Sequence, residues 1–153
     1  MPDLVRVEPI ALLPTQAGCA VFLGDGSKAI VFYIEPAIGA SINAAMTGEE
    51  SPRPLTHDLF VNVLRTFGAS VQRILIVRVE DDVFYARLFL EAENEIMEKK
   101  IVELDARPSD CIALAVRQRA PIYVIKEVWD QLKDMTSVLD ELREEGLDFG
   151  SED

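Results

Sequence analysis

The chain has 153 residues, enough for one domain with a real core and short for two. Hydrophobic residues make up 49%, which excludes a disordered chain, and no apolar run is long enough to cross a membrane. Fifteen basic against 27 acidic residues give a net charge of −12, which argues against a broadly basic surface of the kind that binds nucleic acid. The first eight residues lack an export signal's apolar stretch, so a cytoplasmic protein is expected. Cys19 and Cys111 have no metal-type spacing and are expected to be reduced and buried.

Leu4 to Leu13 is apolar with polar interruptions and carries Pro9, which predicts an edge strand. Cys19 to Leu23 and Lys28 to Ile34 flank Gly24-Asp25-Gly26 and predict a hairpin. Pro36 then opens a helix over 37–46, with Gly48 beyond its end and Gly39 as a weak point inside it. A loop follows over 49–54. Thr56 is placed to cap the next helix, where Leu59, Phe60, Val63, Leu64 and Phe67 recur at helical spacing before Gly68.

Ser70 to Val79 is nearly all β-branched and aliphatic, which predicts a central strand covered on both faces. Val83 to Glu91 alternates, with Phe84, Ala86, Leu88 and Leu90 on one side. Met97 to Asp105 completes a meander. A helix from Pro108, a short strand over 121–125 and a helical turn over 127–132 follow. Val138, Leu139 and Leu142 predict a last amphipathic helix, with Leu147 folding back on Leu142 past Gly146. The fold class expected is α+β: a mainly antiparallel sheet of hairpins and a meander with helices packed on it. Residues 1–132 are read as the domain and 133–153 as a C-terminal helix and acidic tail. Gly150 to Asp153 has almost nothing to bury and is expected to be dispensable for folding.

Position softens the acidic balance. Asp140 to Asp153 holds seven acids and one base, so half of the excess lies at the C-terminal end. Ala106 to Lys126 holds Arg107, Arg117, Arg119 and Lys126 against Asp110 alone. Within that basic stretch, Asp105, Arg107, Pro108, Ser109 and Asp110 crowd a strand-to-helix junction. Pro108 suits the first helical position, and Asp110 in the first turn favours the positive end of the helix dipole. Such a junction presents free backbone N–H groups, with Arg107 beside them.

The segment Asp-Ala-Arg-Pro-Ser-Asp-Cys-Ile-Ala-Leu-Ala at 105–115 resembles the signature of the bifunctional nuclease domain family, which usually carries Ala where this chain has Cys111. Arg53-Pro54-Leu55-Thr56-His57-Asp58-Leu59, Asn62, Phe84-Tyr85-Ala86-Arg87-Leu88 and Pro121-Ile122-Tyr123-Val124 are similar to its other blocks, in the same order and spacing. The resemblance runs from about Leu4 to Trp129. It implies a nuclease that hydrolyses the phosphodiester bonds of DNA and RNA with low sequence preference.

Phosphodiester hydrolysis needs charge on the phosphate and an activated water, commonly through a divalent metal held by carboxylates. Asp58, Asp105 and Asp110 are the candidate ligands of a magnesium or manganese ion; no organic cofactor is expected. His57 is the only histidine and so the only histidine general base available, with Asp105 and Asp110 as its catalytic companions. Arg107, Ser109 and Arg53 are the candidate substrate-binding residues. Each has a structural alternative: Asp58 and Asp110 as helix-start acids, Arg107 as a clamp on Asp105 or Asp58, His57 as a packed helix-start residue. The competing function is a non-catalytic module that binds an anionic ligand or a protein partner. Tyr85, with Arg87, faces away from Phe84 and could stack a base, although a half-buried strand gives the same pattern. The high apolar content and the expected free edge at Leu4 to Leu13 suggest a homodimer or larger assembly. Leu114, mid-helix between Ile112 and Val116, is expected to be core.

Overall fold

A computed structural model describes residues 2–146. The expectations for Leu147 and for Gly150 to Asp153 lie outside those residues.

Seven strands form one sheet: β1 Leu4–Thr15, β2 Gly18–Gly24, β3 Ala29–Ile34, β4 Ala69–Glu80, β5 Val83–Glu93, β6 Lys99–Ala106 and β7 Ile122–Ile125. Five helices accompany them: α1 Pro36–Thr47, α2 Thr56–Thr66, α3 Pro108–Gln118, α4 Lys126–Gln131 and α5 Thr136–Glu144. The sheet order is β3-β2-β1-β7-β4-β5-β6. Every pairing is antiparallel except β4 with β7. The α+β class, the hairpin and the meander are therefore as expected.

The prediction for β1 is corrected. It pairs with β2 through one stretch and with β7 through Leu4 to Val7, so it is interior, and the sheet edges are β3 and β6. Pro9 and Pro14 are accommodated because β7 pairs only with the start of β1, and the register shifts at Pro9. A short strand far along the chain closes this edge, which local sequence does not foretell. Two hairpin aspartates, Asp81 and Asp82, take φ of 51° and 64°. Paired positive φ values suit a tight hairpin turn, and Asp tolerates the left-handed region better than most residues.

β4 is central, but its faces are unequal: Val71, Ile74 and Ile76 are buried, whereas the opposite face is only half-covered. The buried face of β5, Ala86, Leu88 and Leu90 with Phe84 half-buried, lies in the same core. Helix α3 fills that core. Cys111 to Ala115 are all buried, and Leu114 is 4% exposed. Gln118 Oε1 accepts the Val71 N–H at 2.6 Å and ties the end of α3 to β4. Phe32 on β3 stacks on Phe84 at 5.0 Å, so the first hairpin curls back over the sheet to meet β5.

Helix α1 packs beside α3. Gly39 permits this helix to lie close to β2, because a Cβ there would come within 2.6 Å of Cys19 Sγ. The weak point in the α1 sequence is thus a packing requirement. Helix α5 covers a second, smaller core through Leu139, packed with Phe22, Ala20, Ala11 and Ala29. β2, between two cores, is buried along its whole length.

Helix α2 forms where expected but turns its apolar stripe outward. Leu59, Phe60, Val63 and Phe67 are exposed, whereas Val61 is buried and His57, Asp58 and Leu64 are half-buried. Thr56 does not cap it. Leu55 stands at the cap, and Asp58 reaches back to accept the Leu55 N–H at 2.9 Å. The face turned to the core runs through His57, Asp58, Val61 and Leu64, with the two polar residues of the site at its start. No described helix is long and apolar enough to cross a membrane.

Candidate active site

Three helix beginnings and one helix interior meet at a single place. The β6–α3 junction supplies Arg107 and Asp110, the start of α2 supplies His57 and Asp58, and α1 supplies Ser41 with Glu35 just before it. The turn into α3 forms as its sequence requires. Arg107 is extended at the cap (φ −67°, ψ 141°), Pro108 takes the first position, and the Cys111 N–H closes on the Arg107 carbonyl at 3.0 Å. Asp110 then projects from the first turn.

His57 is wired on both sides. Its Nε2 lies 2.9 Å from Asp110 Oδ1, and its Nδ1 lies 2.8 Å from Ser41 Oγ. Arg117 Nη2 donates to the same Ser41 Oγ at 3.0 Å. With that lone pair taken, the Ser41 hydrogen is free to go to Nδ1, which leaves the neutral ring's proton on Nε2, donated to Asp110. Asp110 Oδ2 accepts from Arg107 Nε at 2.9 Å, and Arg107 Nη1 donates to Glu35 Oε1 at 3.2 Å. A chain of hydrogen bonds therefore runs from a serine hydroxyl through an imidazole to a carboxylate backed by a guanidinium.

Burial alone would raise the Asp110 carboxyl, but hydrogen bonds from His57 and Arg107, with the Arg107 charge, hold it below the usual carboxylate range. Asp110 thus stays charged at neutral pH. Cys111 is its opposite: burial, reinforced by the charges of Asp110 and Asp105, pushes the thiol up to about 12. At neutral pH it is a protonated core residue and no nucleophile.

Arg117 is the buried brace of the cluster, with its side chain 8% exposed. Its Nε donates to Asp58 Oδ1 at 2.7 Å, Nη1 to the Ala113 carbonyl at 2.8 Å, and Nη2 to the Ser41 carbonyl at 3.2 Å. The Arg117 hydrogen bond holds the Asp58 carboxyl below its usual range, against the opposing effect of burial. Arg117→Met should destabilise the protein at neutral pH by about 1–3 kcal/mol, since buried acceptors lose their donor. The low end is favoured because Asp58 remains partly open to water. A carboxyl with a lowered folded-state pKa stabilises above its unfolded pKa and loses that contribution as pH falls through the folded value. Melts should therefore show the gap between wild type and Arg117→Met narrowing below about pH 4, the ordinary Asp range.

His57, Ser41, Asp110, Arg107 and Glu35 line a cavity of about 570 Å³ closed by α1 and the 49–56 segment. Arg107 and Glu35 also border a second cavity of about 490 Å³. Their ion pair forms the ridge between the two. Arg107 itself is more than half exposed, and its Nη2 has no partner among the described residues.

Of the residues expected from sequence, His57, Asp110, Arg107 and Asp58 come together, and Ser109 sits buried at the second cavity. Arg107 pairs with Asp110 and Glu35, and not with Asp105 or Asp58, the partners of its structural alternative. Asp105 is exposed on β6 opposite Arg87 in register, and Arg53 is exposed in the loop before α2; neither lines the two cavities. Tyr85 is covered by Arg78, whose guanidinium lies 4.1 Å from the ring centre. Among the described residues, no three His, Cys, Asp or Glu side chains gather closely enough to hold a metal ion. Asp58 and Asp110 are engaged by arginines, so this donor set does not fit a resident magnesium or manganese. Ser41, Glu35 and Arg117 were missed. Arg117 was within reach, because it lies seven residues, two helical turns, from Asp110 on the same face of α3. Ser41 carried no such signal.

The model of the bifunctional nuclease domain matches residues 21–136 of the chain. An uncharacterized protein of Mycobacterium tuberculosis is 34% identical over 107 residues, 70% of this chain and 60% of its own length. Bifunctional nuclease 1 of Arabidopsis thaliana is 32% identical over 83 residues, 54% of this chain and 25% of that protein. Bifunctional nuclease 1 of Oryza sativa subsp. indica is 29% identical over 85 residues, 56% of this chain and 25% of that protein. The matched region contains both junction and helix α2, the two elements that build the cluster around His57, and the chain belongs to the bifunctional nuclease domain family.

Proposed function

We propose that the protein is a nuclease that hydrolyses phosphodiester bonds of DNA and RNA with low sequence preference, using the cavity around His57. The observation that carries this reading is the Ser41–His57–Asp110 chain of hydrogen bonds beside the half-free guanidinium of Arg107. Arg107 Nη2 receives a phosphate oxygen. Water in the cavity attacks phosphorus as Ser41 Oγ takes its proton and passes its own to His57 Nδ1, and the P–O bond breaks with a proton returned by the same route to the leaving oxygen. Arg107 supplies charge that grows in value as the phosphoryl group becomes more negative. No step is assigned to a metal. The plant relatives bear the name bifunctional nuclease but extend far beyond the aligned region, so activity of this chain alone is the point to test.

The test is cleavage of supercoiled plasmid and of a single-stranded RNA, each with magnesium, manganese or chelator. Arg107→Lys should leave the melting midpoint nearly unchanged, because the side chain is exposed. Binding to a short oligonucleotide should weaken, and its salt dependence should become shallower where the shorter, unforked lysine no longer reaches the phosphate. Unchanged binding together with a clear loss of stability would remove the substrate role from Arg107.

A second reading, a non-catalytic binding module, has one specific support. Leu59, Phe60 and Val63 on α2, Phe67 just past its end, and Ile101 and Leu104 on the free edge strand β6 are exposed. Exposed apolar surface of this extent marks contact with another macromolecule, a second copy of the chain included. Purified protein that binds oligonucleotide and cleaves none under any of the ion conditions would favour this reading.

A further inference from the structure

The cavity on the far side of the Arg107–Glu35 ridge is outside the proton path, yet it is built for a ligand. Ser109 borders it, only 7% exposed, and its hydroxyl has no hydrogen-bond partner among the described residues. A buried hydroxyl left without a partner costs free energy unless something fills the vacancy. It stands in the first turn of α3, where the Ser109 and Asp110 N–H groups lack intrahelical partners. The opposite walls are mainly apolar, with Tyr33 from β3, Pro36 from α1, and Val83 and Phe84 from β5, and Asp82 stands beside Val83 at the rim. Tyr33 is 61% exposed on an edge strand. Phe84 is held in place by stacking on Phe32. The volume, about 490 Å³, falls in the range of small-molecule sites.

We propose that this cavity is a nucleobase subsite, which takes the unstacked base of the nucleotide next to the scissile phosphate, with Tyr33 as the stacking platform and Ser109 as a hydrogen-bond donor to that nucleotide's sugar-phosphate. The proposal rests on the reading that Arg107 holds the phosphate, since Arg107 borders both cavities. A base stacked on an aromatic face gains affinity with little regard to its identity, because every base has a π-face. Low sequence preference and a requirement for a splayed-out base are thereby compatible. A base inside a duplex cannot enter, so the subsite favours single strands, loops and ends.

Binding of adenosine 5′-monophosphate and of ribose 5-phosphate to the full chain is measured by NMR titration, which does not depend on cleavage. Wild type should bind the nucleotide more tightly than the sugar phosphate, with shifts at the amides of Tyr33, Val83 and Ser109. Tyr33→Ala should weaken nucleotide binding by roughly 5- to 100-fold, the range of base–aromatic stacking. It should leave ribose 5-phosphate unaffected, and Tyr33→Phe should keep the wild-type preference. Equal binding of the two probes, no binding of either, or a Tyr33→Ala variant that binds the nucleotide as wild type does would overturn the subsite. Preference for the nucleotide without any oligonucleotide cleavage would leave the subsite standing and remove the nuclease reading. Cleavage without that preference would do the reverse.

Discussion

His57→Gln is expected to lower kcat for phosphodiester cleavage by about 10²- to 10⁴-fold, the usual contribution of a positioned acid–base group. Glutamine can keep one hydrogen bond to Asp110 or Ser41 but cannot take and return a proton near neutral pH. The melting midpoint should move little, because the ring is replaced by a side chain of similar reach. KM should change less than kcat, since phosphate binding belongs to Arg107. Single-turnover cleavage and a thermal melt on the same preparation separate the two roles. A residue that merely braces α2 against α3 would show the opposite pattern, with stability lost and kcat retained.

Leu114→Ala is expected to cost about 2–5 kcal/mol, the range for leucine removed from a core that cannot collapse. Leu114 is 4% exposed, in a helix whose neighbours Cys111, Ile112, Ala113 and Ala115 are 0% exposed. Helix α3 lies between the sheet and helices α1 and α2, so a void there has little freedom to close. Each kcal/mol should lower Tm by roughly 2–4 °C for a chain of this size. Because the same helix carries Asp110 and Arg117, the variant should also lose activity as it approaches its midpoint. Denaturant titration gives the number, and a change under about 1 kcal/mol would mean that the site relaxes far more than usual.

Local chemistry made much of the fold readable. Pro36 and Pro108 marked helix starts, Gly48 and Gly68 marked ends in the left-handed region, and alternation marked β5. What escaped was non-local. β1 looked like an edge because the strand that covers it, β7, arrives more than a hundred residues later. The outward turn of α2 escaped because five apolar residues at helical spacing outvoted the polar His57 and Asp58. Chemistry at the site reverses that vote: Asp58 meets Arg117 and His57 meets Asp110, so the polar edge faces inward.

The site was legible to the same degree. Residues clustered along the chain, Arg107, Ser109 and Asp110, were found by their junction, and His57 by being the only histidine. The three carboxylates expected to share a metal do not gather: Asp58 and Asp110 are taken by Arg117 and Arg107, and Asp105 lies exposed on β6. Arg117 looked like one more basic residue of a solvated patch; in the fold it is buried among Asp58, Ser41 and the Ala113 carbonyl. Ser41 lay in a helix of small residues and drew no notice.

The most direct test of the central claim is cleavage of a labelled single-stranded RNA across gel-filtration fractions of wild type and His57→Gln, purified side by side. Cleavage that follows the wild-type protein peak and is reduced at least about a hundredfold in His57→Gln is the predicted result. Equal cleavage across the two peaks would assign the activity elsewhere and contradict a nuclease centre at His57.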